Sequence, residues 1–388
     1  MNKKILVIAP VPFFVDRGTP MRILEESLAL ERKGYDVSIV TYHLGRNINE
    51  IAPESKIKIY RIVRFLFWYK KKESGPSWQK MALDILLIIK TLRVYFRVKP
   101  DIIHSHLHEG VLIGWFVQKI IFWKKVKLVA DFHGELVSEM RSHGYLKNGF
   151  LKKIFHFLEK IIFSMGDWSI ASSEELKNII YKLRKDHKVS VVLDGVNLKK
   201  YNISNKNDNN KINIIYSGAF VQNKGIDLLL DAILKISKTR DVSLKFILAG
   251  SPVNNISDFI ERNNLNEMVE IISPLNYKDL PSVNLRGDIA VDPKTSQVGQ
   301  ASGKILQYMA AGLPVICFDR KNNRKYLKDA GYYVKNISAD GIVDAIIYLQ
   351  NNPEKLKMMS EASKKNIKKF SWDKTAISIV KVYDRCDN

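Results

Sequence analysis

Ser302, Gly303 and Lys304 open an apolar helical segment that ends at the Gly312-Leu313-Pro314 turn. A hydroxyl at or near the N-cap, followed by glycine, leaves backbone N–H groups free to face a diphosphate, with the helix dipole behind them. Simple helix capping explains the same residues, and the two uses are compatible. Lys224 offers related chemistry, because it precedes Gly225 at the start of another helical segment, where an ammonium can meet an anion that the dipole already favours. A solvated surface lysine would look the same. Gly18, in Arg17-Gly18-Thr19-Pro20, either brings the backbone close to a substrate or sits at a helix start with proline at the first helical position. His133, in Asp131-Phe132-His133-Gly134 at a strand end, is the catalytic candidate, with a packed strand-end histidine as the alternative.

His104, His106 and His108 alternate, and alternate strand residues share a face, which invites a metal reading. Gly110 and the helical segment beyond it end the strand near His106, so the third ring turns away. No cysteine or carboxylate cluster completes a ligand set along the sequence. No metal site and no bound cofactor are therefore expected; one of these histidines lines a site and the others cap or pack.

Alternating β-branched apolar runs and helix-period segments must position these side chains, which is the pattern of parallel α/β sheets. Strands are expected at Lys4–Ala9, Val37–Tyr42, Ile57–Ile62, Asp101–His106, Lys127–Asp131, Trp168–Ala171 and Val189–Val192. After the polar, asparagine-rich linker Ile203–Lys211, a second series runs through Ile212–Tyr216, Leu244–Leu248, Val269–Ile272, Ile289–Val291 and Val315–Phe318. The expected fold class is α/β, with two Rossmann-like doubly wound domains over residues 1–203 and 204–370. They face a cleft where ligands of such sheets bind. A helix over 371–388 is expected to pack back toward the first domain.

A chain of 388 residues, 46% hydrophobic, is long enough to fill two cores. Two cysteines, Cys317 and Cys386, imply no disulfide framework and suit a reducing cytoplasm. Pro10 and Pro12 interrupt the first apolar run, which reads as a buried strand and not as a signal peptide. No uncharged apolar stretch reaches the roughly 18 residues of a spanning helix. The net charge is +22, and residues 1–203 hold 35 Lys+Arg against 20 Asp+Glu, so the first half carries +15 of it. Such a field attracts phospholipid surfaces, nucleic acids and pyrophosphate-linked substrates.

With both halves placed, Gln307-Tyr308-Met309-Ala310-Ala311-Gly312-Leu313-Pro314-Val315 resembles the C-terminal signature of family four glycosyltransferases. Four further segments resemble the family in order and spacing. They are Arg17-Gly18-Thr19-Pro20, Pro100-Asp101-Ile102-Ile103-His104, Asp194-Gly195-Val196-Asn197 and the loop from Ser217-Gly218-Ala219 to Lys224-Gly225. The resemblance implies the GT-B arrangement and a retaining, metal-independent sugar transfer. It also implies a UDP- or GDP-sugar donor on the C-terminal domain, contacted by Gly218, Lys224, Ser302, Gly303, Lys304 and Gln307, and an acceptor on the N-terminal domain. His133 resembles the histidine that the family places beside the transferred sugar. Two positions depart from the pattern: Ala219 replaces an arginine that contacts the diphosphate, and Gln307 replaces a glutamate while keeping the capacity to hydrogen-bond a ribose hydroxyl.

Basic aromatic segments at Phe65–Lys72, Trp115–Lys127 and Lys147–Met165 complete the picture. In the third, Phe150, Leu151, Ile154, Phe155, Leu158, Ile161 and Ile162 share a helical face that is expected to be core. Phe67, Trp68, Trp115, Phe122 and Trp123, beside Lys70–Lys72, Lys124 and Lys125, suggest a patch for an anionic membrane surface. The expected activity is transfer to a glycan or lipid-linked acceptor in surface polysaccharide or glycoconjugate synthesis, in the cytoplasm at the inner membrane face. The rivals are a nucleotide-sugar epimerase of the same fold and a catalytically degenerate partner subunit. A nucleic-acid binder is disfavoured, since no recognisable module appears and the aromatics lie in apolar helices.

Overall fold

The computed structural model describes residues 3–64, 78–142, 145–146, 149–202, 211–239, 243–295 and 303–387. Most of the Ile203–Lys211 segment, the Phe65–Lys72 segment and Ser302 lie outside the described residues. The chain forms two compact units, one built on Met1–Asp194 with Trp372–Asn388, the other on Gly195–Gln297 with Ala301–Ser371.

In the first unit the order is β1 (Lys4–Ala9), α1 (Gly18–Arg32), β2 (Asp36–Thr41), β3 (Lys58–Arg61), α2 (Trp78–Val98), β4 (Ile102–His106) and α3 (Leu107–Ile120). It continues with β5 (Lys127–Phe132), α4 (Leu136–Ser142), α5 (Phe150–Phe163), β6 (Trp168–Ala171), α6 (Glu174–Leu183) and β7 (Val189–Val191). All seven strands pair in parallel in the order β3-β2-β1-β4-β5-β6-β7. A parallel sheet is covered on both faces, which is why β1 is a continuous apolar run with Ile5, Leu6, Val7 and Ile8 buried. The chain winds outward from β1 through β2 to β3, then returns to β4 on the other side of β1. This reversal opens the crevice at the strand ends where such sheets take ligands, and Gly18 lies in the connection that follows β1.

The second unit holds β8 (Ile212–Ser217), α7 (Ile226–Ser237), β9 (Leu244–Ala249), α8 (Asn254–Arg262), β10 (Val269–Ile272), α9 (Leu280–Asn284), β11 (Ile289–Asp292) and α10 (Gly303–Ala310). After these come β12 (Val315–Phe318), α11 (Lys321–Leu327), β13 (Gly331–Val334), α12 (Ala339–Gln350) and α13 (Pro353–Asn366). Its parallel sheet, β10-β9-β8-β11-β12-β13, reverses in the same way between β8 and β11. The core runs from Ile214 and Tyr216 through Phe246 and Leu248 to Ile316 and Ile346. β13 is not among the strands expected from the sequence. It is a four-residue edge strand, with Tyr332 and Tyr333 only partly buried, so it lacks the apolar run that marks the central strands.

The last helix, α14 (Trp372–Asp387), belongs to the first unit and packs along α1, burying Trp372, Ile379 and Tyr383. One expectation fails outright. The stripe on α5 is not core: Phe150, Leu151, Ile154, Leu158 and Ile161 are exposed, and of the seven expected core residues only Phe155 and Ile162 turn inward. Among the described residues no helix is long and apolar enough to cross a membrane.

Candidate active-site residues in each unit

In the second unit, β8 ends at Ser217, whose N–H donates to the hydroxyl of Tyr308 on α10 at 2.8 Å, fixing the first turn of the loop beyond. Gly218 follows at φ +140, and a Cβ there would lie 2.5 Å from Cε of Lys304. Only glycine allows that approach. The lysine reaches under the loop from the second position of α10, with Nζ 3.8 Å from the centre of the Tyr216 ring. That Nζ is buried and has no hydrogen-bond partner among the described residues. Burial pushes the ammonium down to about 7; Asp292, at the end of β11, pulls the other way, and the charges of Lys224 and Lys294 add to the lowering. Asp292 is itself buried, and its Oδ1 has no hydrogen-bond partner among the described residues.

Lys224 closes a short 3-10 turn, and Gly225 behind it adopts φ +75. A Cβ on Gly225 would lie 1.8 Å from the carbonyl oxygen of Pro293, so the loops after β8 and β11 are in direct backbone contact. Gly303 begins α10, and among the described residues a Cβ at Gly303 would meet nothing within 4 Å. Gln307 is buried one turn further along α10, and its carbonyl accepts the hydroxyl of Tyr201. Ala219 is exposed and supplies no cation. Gly218, Lys224, Gly303 and Lys304 therefore belong to one neighbourhood, at the reversal of the sheet, while the side chain of Gln307 points to Tyr201. Ser302 lies outside the described residues.

In the first unit, β4 and β5 end side by side, with His106 paired to Asp131 in register. Asp131 is fully buried and receives Arg22 from α1 at 3.1 and 3.2 Å; the same guanidinium meets Asp194 at 2.6 Å. Burial opposes ionisation of Asp131, yet Arg22, and His104 at 3.5 Å, hold its carboxyl well below the usual range. Glu26 moves the other way, because burial and the charge of Asp131 push it well above that range. His104 stacks on His106 with ring centres 4.6 Å apart, and its Nδ1 lies 2.7 Å from the hydroxyl of Tyr383 on α14. His133 is nine-tenths buried, with Nε2 3.1 Å from His106 Nδ1 and its carbonyl accepting the hydroxyl of Ser172. Burial first, then the charge of Arg22, pushes His133 down to about 3, so a neutral imidazole stands at the end of β5.

This arrangement corrects the expectation that no carboxylates join the histidine run. Glu26 and Asp131, from distant segments, place ligand atoms within 4.8 Å of those of His104 and His106. Arg22 brings positive charge to that cluster. His108 lies in the first turn of α3, buried against Phe132 and Phe163. Gly18 begins α1, and among the described residues a Cβ there would meet nothing within 4 Å.

Two family models divide the chain between them. Glycosyltransferase Family 4 matches residues 17–200, and Glycosyl transferases group 1 matches residues 199–366. The chain belongs to the group 1, family 4 glycosyltransferases. Among relatives of this glycosyltransferase, an uncharacterized glycosyltransferase of Methanocaldococcus jannaschii is 29% identical over 294 residues, covering 73% of this chain and 75% of the relative. An uncharacterized 41.2 kDa protein in the cps region of Klebsiella pneumoniae is 27% identical, covering 86% and 91%. The fold is that of Anabaena HepE solved with UDP-glucose, at 13% identity, a TM-score of 0.73 and coverage of 98% and 99%. The two doubly wound units are thus the GT-B fold.

The sequence does not single out Arg22, Asp131, Asp292 and Tyr383 as functional. One signal is present: Arg22, Glu25 and Glu26 fall at helical spacing among the apolar residues of α1, which marks charge on a buried face. Asp292 closes an apolar strand at the sheet reversal, the other position where a lone carboxylate is informative.

Proposed function

We propose that this glycosyltransferase takes a nucleotide-diphosphate sugar, binds its diphosphate on the second unit and passes the sugar, with retained configuration, to a glycan or lipid-linked acceptor on the first. The observation that carries this reading is the buried Nζ of Lys304 under Gly218, without a hydrogen-bond partner among the described residues, at the start of α10. A buried ammonium without a hydrogen-bond acceptor is costly, and an anion bound at that helix start relieves it. Lys224 adds a second cation from the next loop. These fixed charges and the N–H groups of α10 stabilise the departing diphosphate, the task a divalent ion performs in other designs, so the reaction is proposed to run without metal. The UDP-glucose held by HepE supports a nucleotide-sugar donor.

In the first unit, the neutral His133 is able to hydrogen-bond a sugar hydroxyl, and the Asp131–Arg22 pair behind it keeps the histidine cluster in place. The relative from the cps region supports a role in surface polysaccharide or glycoconjugate synthesis, at the cytoplasmic face of the membrane. The test is a screen of UDP- and GDP-sugars with and without membrane extract as acceptor source, reading nucleotide diphosphate release and transferred sugar. Release that requires acceptor supports transfer. An epimer formed from donor alone points to the epimerase instead, and failure to bind any nucleotide sugar removes the donor assignment.

A further inference from the structure

Helix α5 has two apolar sides with different surroundings. Ile162 and Phe163 enter the core beside Phe132, and Phe155 packs on the small cluster of Val137, Met140 and Leu146. On the outward side Phe150, Leu151, Ile154, Phe157, Leu158 and Ile161 follow helical spacing and are all exposed, with Phe150 at 76%, Phe157 at 64% and Leu151 at 62%. A contiguous apolar stripe rimmed by charge marks an interaction surface. A second apolar group, Phe122 and Trp123 with Lys124 and Lys125, follows α3, which packs against α5.

Between α4 and α5 lies a pocket of about 880 Å³. Arg141, Lys152, Lys153 and His156 line it together with Val137 and Phe150. Two carboxylates also line it. Glu159 is buried and turned inward, its Oε1 accepting the N–H of Val137 at 3.3 Å and its Oε2 3.4 Å from His156 Nδ1. Glu135 is then set against Arg141, Lys152 and Lys153, so the wall of the pocket favours an anion.

We propose that this pocket binds the phosphate of a lipid-anchored acceptor while the outward stripe of α5 enters the bilayer beside it. A helix lying in the interface sinks its apolar side roughly 5–10 Å, to the boundary between headgroups and acyl chains, and keeps its polar sides at the depth of the phosphates. Lys153 is on such a side, between the stripe and the pocket, while Lys152 lines the pocket further round the helix from the stripe. A second copy of the chain fits the stripe less well, because it would set Lys152, Lys153 and Lys160 against their own counterparts on a half that already carries +15. Anionic lipid complements that charge. The acceptor role rests on the glycosyltransferase reading above, whereas the binding itself does not.

The experiment is co-sedimentation of the whole chain with vesicles of phosphatidylcholine alone, with added phosphatidic acid, or with phosphatidylserine at equal surface charge. UDP binding, followed by thermal shift, is the independent control. The wild type is expected on phosphatidic acid vesicles, weaker on phosphatidylserine and absent from the neutral ones. Leu151→Ser with Phe157→Ser should weaken vesicle binding by at least about tenfold, and Lys152→Glu with Lys153→Glu should erase the preference for phosphatidic acid, both with UDP binding intact. Should either variant fail to fold, inorganic pyrophosphate is expected to remove that same preference in the wild type. Equal partitioning onto neutral and anionic vesicles, no partitioning at all, or wild-type partitioning by both variants would overturn the proposal. Loss of UDP binding by the wild type would instead count against the donor assignment and leave the vesicle result standing.

Discussion

Nδ1 of His106 lies 3.1 Å from Nε2 of His133, and both rings are held neutral by burial at the ends of adjacent strands. One nitrogen must donate and the other accept, so each ring fixes the tautomer of its neighbour. The pair depends on Asp131, and Asp131 depends on Arg22, its guanidinium partner. Replacing Arg22 with methionine leaves Asp131 buried without a countercharge. Urea unfolding of Arg22→Met should then show a loss of about 3–5 kcal/mol, the cost of breaking a buried pair from one side. A change below about 1 kcal/mol would mean that the carboxylate finds another partner.

If Lys304 holds the donor diphosphate as proposed, it ties donor affinity to pH. Its ammonium, lowered to about 7 in the free protein, is the form that a diphosphate requires, so binding above that pH must draw in a proton. Affinity for UDP should therefore weaken as pH rises past about 7, by up to tenfold per unit, with proton uptake visible by calorimetry in buffers of different ionisation enthalpy. Lys304→Met should bind weakly and lose most of that slope. A wild-type slope retained in the variant would assign the proton to another group.

Lys224 stands in a loop where Ala219 supplies no second cation. Lys224→Ala should lower turnover by about 100-fold or more, as removal of one preorganised charge contact does. If Lys224 and Lys304 carry the task of a metal, chelation by EDTA should leave the rate unchanged. Turnover near wild type in the alanine variant would move the diphosphate contact elsewhere.

Gly218→Ala tests the approach of Lys304 to the backbone. The added Cβ would lie 2.5 Å from the lysine Cε, at a φ that side chains avoid, so Lys304 must withdraw. Weaker UDP binding with a largely preserved unfolding transition is expected. Unchanged affinity would show that the lysine reaches its ligand by another path.

The strands central to each sheet were legible because burial on both faces demands runs such as Ile5-Leu6-Val7-Ile8, which local sequence displays openly. β13 was not, since an edge strand with partly exposed tyrosines needs no such run. The α5 stripe shows the limit of periodicity. Spacing establishes that Phe150, Ile154 and Ile161 share a face, but what covers that face depends on packing from other segments. The position of Lys304 beside Gly303 at a helix start was legible, while the network of Arg22, Glu26, Asp131 and Tyr383 was not. Its members are far apart in sequence, and only the folded sheet and α14 bring them together.

The histidine cluster should also make the first unit sensitive to acid. His133 and His108 are lowered to about 3 and about 4, and His106 well below its ordinary value, all chiefly by burial. In the unfolded chain these rings take up protons near pH ~6.5, so between there and their folded values the unfolded state binds more protons. Their contribution to stability is then full above about pH 6.5 and falls as pH drops below it. Asp131, lowered in the folded state, acts in the same direction at lower pH, whereas Glu26 and Asp194, raised in the folded state, favour folding on acidification and oppose it. Asp84, raised to about 6, and Glu159, also raised, oppose it too, both chiefly through burial, and the three histidines are expected to outweigh these four carboxylates on the acid side. Thermal unfolding followed from about pH 7.5 to about 4.5 should show the midpoint falling by several degrees per unit below about 6.5. In His108→Phe, which keeps an aromatic ring beside Phe132 and Phe163, that fall should be shallower. A midpoint that is flat or rises on acidification would show that the cluster takes up protons without leaving its buried position.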